Sequence, residues 1–120
     1  MALFEDNKTT RIKGMSRFEG IKGLMTEFCM DSKADVKIRY FQRISAYLSG
    51  NPLVVGIYCM VSNPKESGLM DDLNGFLDIP ASMQGFACEV VSKGRSTYAV
   101  VYDPNLIHRD CIRKTEFYSM

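Results

Sequence analysis

The segment Leu53-Val54-Val55-Gly56-Ile57-Tyr58-Cys59-Met60-Val61 constrains the fold more than any other part of the chain. It is apolar at odd and even positions alike, so as a strand it offers apolar side chains to both faces of a sheet. A strand of that kind belongs in the interior of its sheet, with cover on both sides. At nine residues the run is far below the about 20 that a membrane-spanning helix needs. The opening MALFEDNKTTRIKG is charged and lacks the continuous apolar stretch of a secretory signal. The reading is a cytoplasmic chain with no membrane partner.

Around that strand, the apolar periodicity gives the remaining elements. Ser16-Arg17-Phe18-Glu19 has the form of a capping box. Phe18, Ile21, Met25, Phe28 and Cys29 follow at helical spacing and predict a first helix. Its Gly20 and Gly23 fall away from the apolar stripe. Asp31-Ser32 reads as the start of a second helix. Val36, Ile38, Tyr40, Phe41, Ile44, Tyr47 and Leu48 form its apolar face, Arg39 and Arg43 lie opposite, and Ser49-Gly50-Asn51-Pro52 stops it.

Ser67 reads as the cap of a third helix with Leu69, Leu73, Phe76 and Leu77 on one side, broken at Asp78-Ile79-Pro80. Residues 86–92 and 95–102 are rich in β-formers and joined by Lys93-Gly94, which predicts a hairpin. Residues 112–118 read as a last, shorter strand. The expected fold is α+β, with about three helices packed on one face of a small, mostly antiparallel sheet of about four strands. Residues 1–15 form a polar N-terminal arm, and 16–120 a single α+β domain. With 46% hydrophobic residues among 120, the chain has material for one real core, which excludes a disordered protein.

Cys29, Cys59, Cys88 and Cys111 are 30, 29 and 23 positions apart, and His108 is the one histidine. Zinc sites draw ligands in close pairs, so no metal site is expected. Each cysteine has apolar neighbours and reads as a buried thiol in a reducing compartment. His108-Arg109-Asp110-Cys111 brings an imidazole and a thiol together in sequence. If Cys111 opens a strand, i and i+3 point to opposite faces and no catalytic dyad forms. The strand, loop and helix across 53–77 lack phosphate-loop spacing, and Asp71-Asp72 would repel a phosphate at the helix start. No enzymatic activity and no cofactor are expected.

Two places carry cations. Ser92-Lys93-Gly94-Arg95-Ser96 at the hairpin tip offers two cations, two hydroxyls and a flexible glycine, a set that can surround an anion. Arg17, Lys22, Arg39 and Arg43 form a candidate basic face, since residues 1–60 carry nine Lys and Arg against six acids. The whole chain is only +1, so no strong polyelectrolyte field marks it. Eight methionines and thirteen aromatics favour a surface that accommodates a protein partner. The function expected is therefore a small non-enzymatic binding module that modulates another macromolecule. Inhibitors, adaptors and phage-encoded anti-host factors are of this type, and self-association as a homodimer is left open. The alternative is a nucleic-acid or nucleotide-ligand binder using the hairpin tip.

Overall fold

The structure, a computed structural model, describes residues 13–42 and 53–114. Strands β1 (Val36–Gln42), β2 (Val54–Val61), β3 (Ala87–Lys93) and β4 (Ser96–Tyr102) form one antiparallel sheet in the order β1-β2-β4-β3. Among the described residues three α-helices accompany it: α1 (Glu19–Cys29), α2 (Ser67–Met83) and α3 (Arg109–Lys114). The chain is thus α+β, as its patterning implies. β2 occupies the interior position that its two-sided apolarity demands, and all of its residues are buried except the half-buried Met60.

Alternation along β2 sorts the core into two layers. Ile57, Cys59 and Val61 join Phe18, Ile21 and Met25 of the first helical segment and Met70, Leu73, Leu77 and Ala81 of α2. Tyr58 faces the other way, with Phe41, Val91, Val100 and Tyr102, and there Ile112 of α3 is fully buried. Helices α1 and α2 therefore cover one face and α3 covers part of the other. Gln42 pairs with Val54 and Phe41 with Gly56, which leaves Val55 as an extra residue on β2. This bulge lets Val54 face the α1–α2 layer while Val55 faces the α3 layer.

Residues 36–42 are a strand and not the expected helix. Val36, Ile38 and Tyr40 are half-buried and alternate with exposed Lys37 and Arg39, the period of a strand. Tyr40 and Phe41 are both apolar because each faces a different layer. β2 needs a neighbour on each side, and that pairing overrides the helical spacing of 41, 44 and 48. The part of the expected helix at 43–48 lies outside the described residues.

Two more differences concern helix ends. Pro80 sits inside α2 instead of breaking it. The stop comes at Gly85, whose φ of +80° allows Phe86 N–H to donate to the Ala81 carbonyl at 2.9 Å and Gly85 N–H to that of Ser82 at 3.0 Å. This is the Schellman arrangement, and a glycine is what it requires. The segment from residue 109 is a helix rather than a strand, and 115–118 lie outside the described residues. The Ser16/Glu19 capping box does not form: residues Met15–Phe18 make a 3-10 turn with no side-chain cap. Likewise Asn63, not Ser67, caps the start of the α2 region, its Oδ1 accepting from Lys65 N–H at 3.0 Å.

Candidate functional site

The β3–β4 ladder pairs Ser92 with Thr97 and Lys93 with Ser96, leaving Gly94 and Arg95 as a two-residue loop. Gly94 has φ +61°, the left-handed geometry that a two-residue hairpin needs. Successive cross-strand pairs point to opposite faces. Ser92 therefore points to one face of the sheet, while Lys93 and Ser96 point to the other. The Lys93 ammonium donates to the Arg113 carbonyl at 2.9 Å, close to the C-terminal end of α3. A cation there complements the helix dipole. The five residues meet in sequence at the tip, but the Ser92 hydroxyl points away from Lys93 and Ser96.

The expected basic face is divided in a similar way. Arg17 donates to the Asp103 carboxylate and lies against the rings of Phe18 and Phe86, with centroids at 5.6 and 5.3 Å. Those rings stack on one another at 4.5 Å. Lys22 lies over the Tyr40 ring at 5.5 Å, on the α1 side of the sheet. Arg39, adjacent to Tyr40 in β1, points to the opposite face. Arg43 lies outside the described residues.

Asp103 is nearly buried, and burial alone would raise its pKa. The Arg17 guanidinium and the Asn105 N–H, which donates to Oδ1 at 2.9 Å, outweigh that and hold the carboxyl below its usual range. The same residue donates its N–H to Val55 at 2.9 Å and accepts from Leu106 and Ile107. The pair thus ties the first helical turn to the loop that leaves β4.

On the other layer, Glu89 Oε1 accepts from Arg109 Nε at 2.7 Å and from an Arg113 nitrogen at 3.2 Å. The Glu89 side chain is only 9% exposed, and its Oε2 is buried without a hydrogen-bond partner among the described residues. Sequence reasoning passes over this triad because its members are 20 and 24 residues apart. Only the helical spacing of Arg109 and Arg113, i and i+4, was available as a signal.

His108 precedes α3, and its Nδ1 accepts from Asp110 N–H at 3.1 Å. The helix removes the strand argument against a His108–Cys111 pair. The capping bond occupies one ring nitrogen, and both His108 and Cys111 are exposed. Among the described residues no group of three His, Cys, Asp or Glu is placed to hold a metal. No described helix is long and apolar enough to cross a membrane.

One surface feature was not expected. The sequence pattern groups Phe76 with Leu73 and Leu77 on the apolar side of its helix; those two are buried, but Phe76 is exposed. With Ile79 at 71% and Met83 at 83% exposure it forms an outward stripe along α2, spaced i, i+3 and i+7. Phe28 of α1 meets Phe76 at 5.1 Å between ring centroids, which continues the apolar surface toward α1. α2 also carries Asp71, Asp72 and Asp78, all exposed, and no Lys or Arg. On the far side of α1, Glu19, Lys22, Gly23, Thr26, Glu27, Met30 and Tyr40 line a shallow groove of about 510 Å³. Comparison of the chain with protein-family models, with curated proteins and with solved structures returns no match.

Proposed function

We propose that the protein is a binding module that docks the outer surface of α2 onto another protein and thereby modulates it. The observation that carries this reading is the stripe Phe76, Ile79 and Met83. Ordering large apolar side chains toward water costs free energy that an ordinary polar helix face avoids, and contiguous apolar surface is what protein partners cover. Met and Phe adapt to irregular surfaces, and together they suit a hydrophobic cleft. The three aspartates beside the stripe favour a partner with a basic rim. This is the helix-in-groove mode of recognition.

A second copy of the chain is a poorer occupant for the same surface, because the aspartates of two α2 helices would face one another. The hairpin tip is a weaker candidate for nucleic acid, since its hydroxyls diverge and the Lys93 ammonium already has the Arg113 carbonyl.

Affinity capture with the intact protein tests the reading. A partner protein should be retained by the wild type and by Lys93→Ala/Arg95→Ala, and lost with Ile79→Asp/Met83→Asp. Both altered positions are exposed, so the fold should survive. Retention by the α2 variant with loss in the hairpin variant would replace this reading with the anion-binding one.

A further inference from the structure

The Sγ atoms of Cys29 and Cys59 lie 3.8 Å apart, although 30 positions separate the residues in sequence. Cys29 is the last residue of α1 and is half-buried; Cys59 stands in the middle of β2 and is buried. A disulfide brings its sulfurs to about 2.05 Å, so less than about 2 Å of closure joins them. Rotation of a side chain at a helix end supplies displacements of that size. None of the four cysteines is in a disulfide in the structure.

We propose that Cys29 and Cys59 form an oxidation site, a dithiol that closes to an intramolecular disulfide with hydrogen peroxide or a low-molecular-weight disulfide as oxidant. Cys29 reacts first, because it is half-buried whereas Cys59 is buried. With peroxide, its thiolate takes one oxygen to become a sulfenic acid and hydroxide leaves. The Cys59 sulfur then attacks the Cys29 sulfur, the S–O bond breaks, and water departs. Two thiols and one peroxide give one disulfide and two waters. With glutathione disulfide, Cys29 first forms a mixed disulfide and Cys59 displaces the second glutathione, so two thiols yield one disulfide and two reduced glutathiones.

Proximity favours this product, not acidity. Burial holds both thiols protonated, and their mutual contact adds to this at Cys59. The first step is therefore slow. Once Cys29 is oxidised, Cys59 is already in contact and outcompetes any thiol from solution. Closure would staple the C-terminal end of α1 to the middle of the sheet, immediately after Phe28, which touches Phe76. The inference stands on the thiol geometry and not on the binding reading.

The test equilibrates the folded full chain in glutathione buffers from reducing to oxidising, alkylates the remaining thiols and maps tryptic peptides. Cleavage after Lys and Arg puts the four cysteines in four different peptides. The expected result is peptide 23–33 linked to peptide 44–65 in monomeric protein, about 2 Da below the two thiol peptides together. That link should form in Cys88→Ala/Cys111→Ser as well, and should fall roughly 100-fold in yield when the same buffers contain denaturing urea. Three results would overturn the proposal: both cysteines alkylated throughout, Cys29 trapped as a stable glutathione adduct, or a link equally abundant in urea. Mapping uses the wild type, so a folding defect in the variant leaves the test intact.

Discussion

The ring of Phe41 lies directly on Gly56, its partner across the β1–β2 ladder. A Cβ at Gly56 would fall inside the Phe41 ring edge and 2.7 Å from the Val101 carbonyl oxygen. Glycine in the middle of a central strand normally weakens it; here the space it leaves is filled by an aromatic ring. Gly56→Ala should cost about 2–3 kcal/mol in a denaturant titration, the range for forcing extra volume into a packed core. Adding Phe41→Leu should recover only part of this, because the Val101 carbonyl is backbone and cannot rotate away. A loss below about 0.5 kcal/mol would contradict the packing described.

Arg17 and Asp103 set an acid limit on stability. The folded state holds the Asp103 carboxyl below its unfolded value of about 3.9, so the unfolded chain binds that proton more readily. The contribution is complete above about pH 4–5 and is lost as pH falls through the folded pKa. Asp103→Asn should cost about 1 kcal/mol at neutral pH, a figure kept small because Arg17 is partly open to solvent. The gap from wild type should close in acid. A gap that does not narrow as the pH falls would show that shape, not charge, carries the effect.

Beyond its first turn, helix α2 contains two residues that oppose helix formation, Gly75 and Pro80. Nothing lies within 4 Å of a Cβ placed on Gly75, so Gly75→Ala should stabilise by about 0.5–1 kcal/mol. Pro80 deprives the Phe76 carbonyl of its helical donor, and Pro80→Ala should stabilise by about 1–2 kcal/mol after allowing for the looser unfolded chain. Thermal melts of the two single variants check both. A fall in melting temperature for Pro80→Ala would mean that the ring is itself needed in the packing.

Helix α3 is six residues long and depends on its contacts with the sheet. Ile112→Ala should cost about 2–4 kcal/mol, since its side chain is fully buried. Glu89→Gln keeps the shape and removes the charge that Arg109 and Arg113 share. Amide exchange across Arg109–Lys114 should then quicken several-fold while that of β4 stays unchanged. Equal acceleration in both elements would place Glu89 in global rather than local stability.

Cys88 gives a chemical measure of the α1–α2 layer. Burial, with a smaller push from Asp78, raises its thiol to about 12. At pH 8 its thiolate fraction is roughly a thousandth of that of an ordinary cysteine, and, because a more basic thiolate is also more nucleophilic, alkylation of the folded protein should be slower by roughly 30–100-fold. Labelling of Cys88 at the rate of an unfolded peptide would show that this edge of the core is open.

The two-sided apolarity of Leu53–Val61 placed β2 at the centre of the sheet, and Lys93-Gly94 placed the hairpin one residue early, since Lys93 pairs with Ser96 and the loop is Gly94-Arg95. Both are local signals: a side-chain period and a turn chemistry. Residues 36–42 were misread because Phe41 alone, added to the alternation of 36, 38 and 40, completes a helical spacing with residues farther along. The two readings part only when the neighbour across the sheet is known. Pro80 misled for the opposite reason, since the stronger punctuation lay five residues on at Gly85. The site-level features were less visible still. Arg17 reads as a surface cation until Asp103 meets it 86 residues later, and Phe76 reads as core until the helix phase is fixed by Met70, Leu73, Leu77 and Ala81.

The position of β2 also fixes an order of assembly. The β3–β4 hairpin closes a two-residue loop and can form early, whereas β2 must wait for β4, which starts 35 positions after β2 ends. Until then β2 has one ladder edge bare, and its Tyr58 face lacks the cover that Val100, Tyr102 and Ile112 supply. The docking of the hairpin onto β2 is the step that desolvates the strand, and it closes the longest loop in the sheet. Until a ribosome delivers Tyr102, one edge of the most apolar segment of this chain has no partner, and an unpaired apolar edge is the surface through which a nascent protein aggregates.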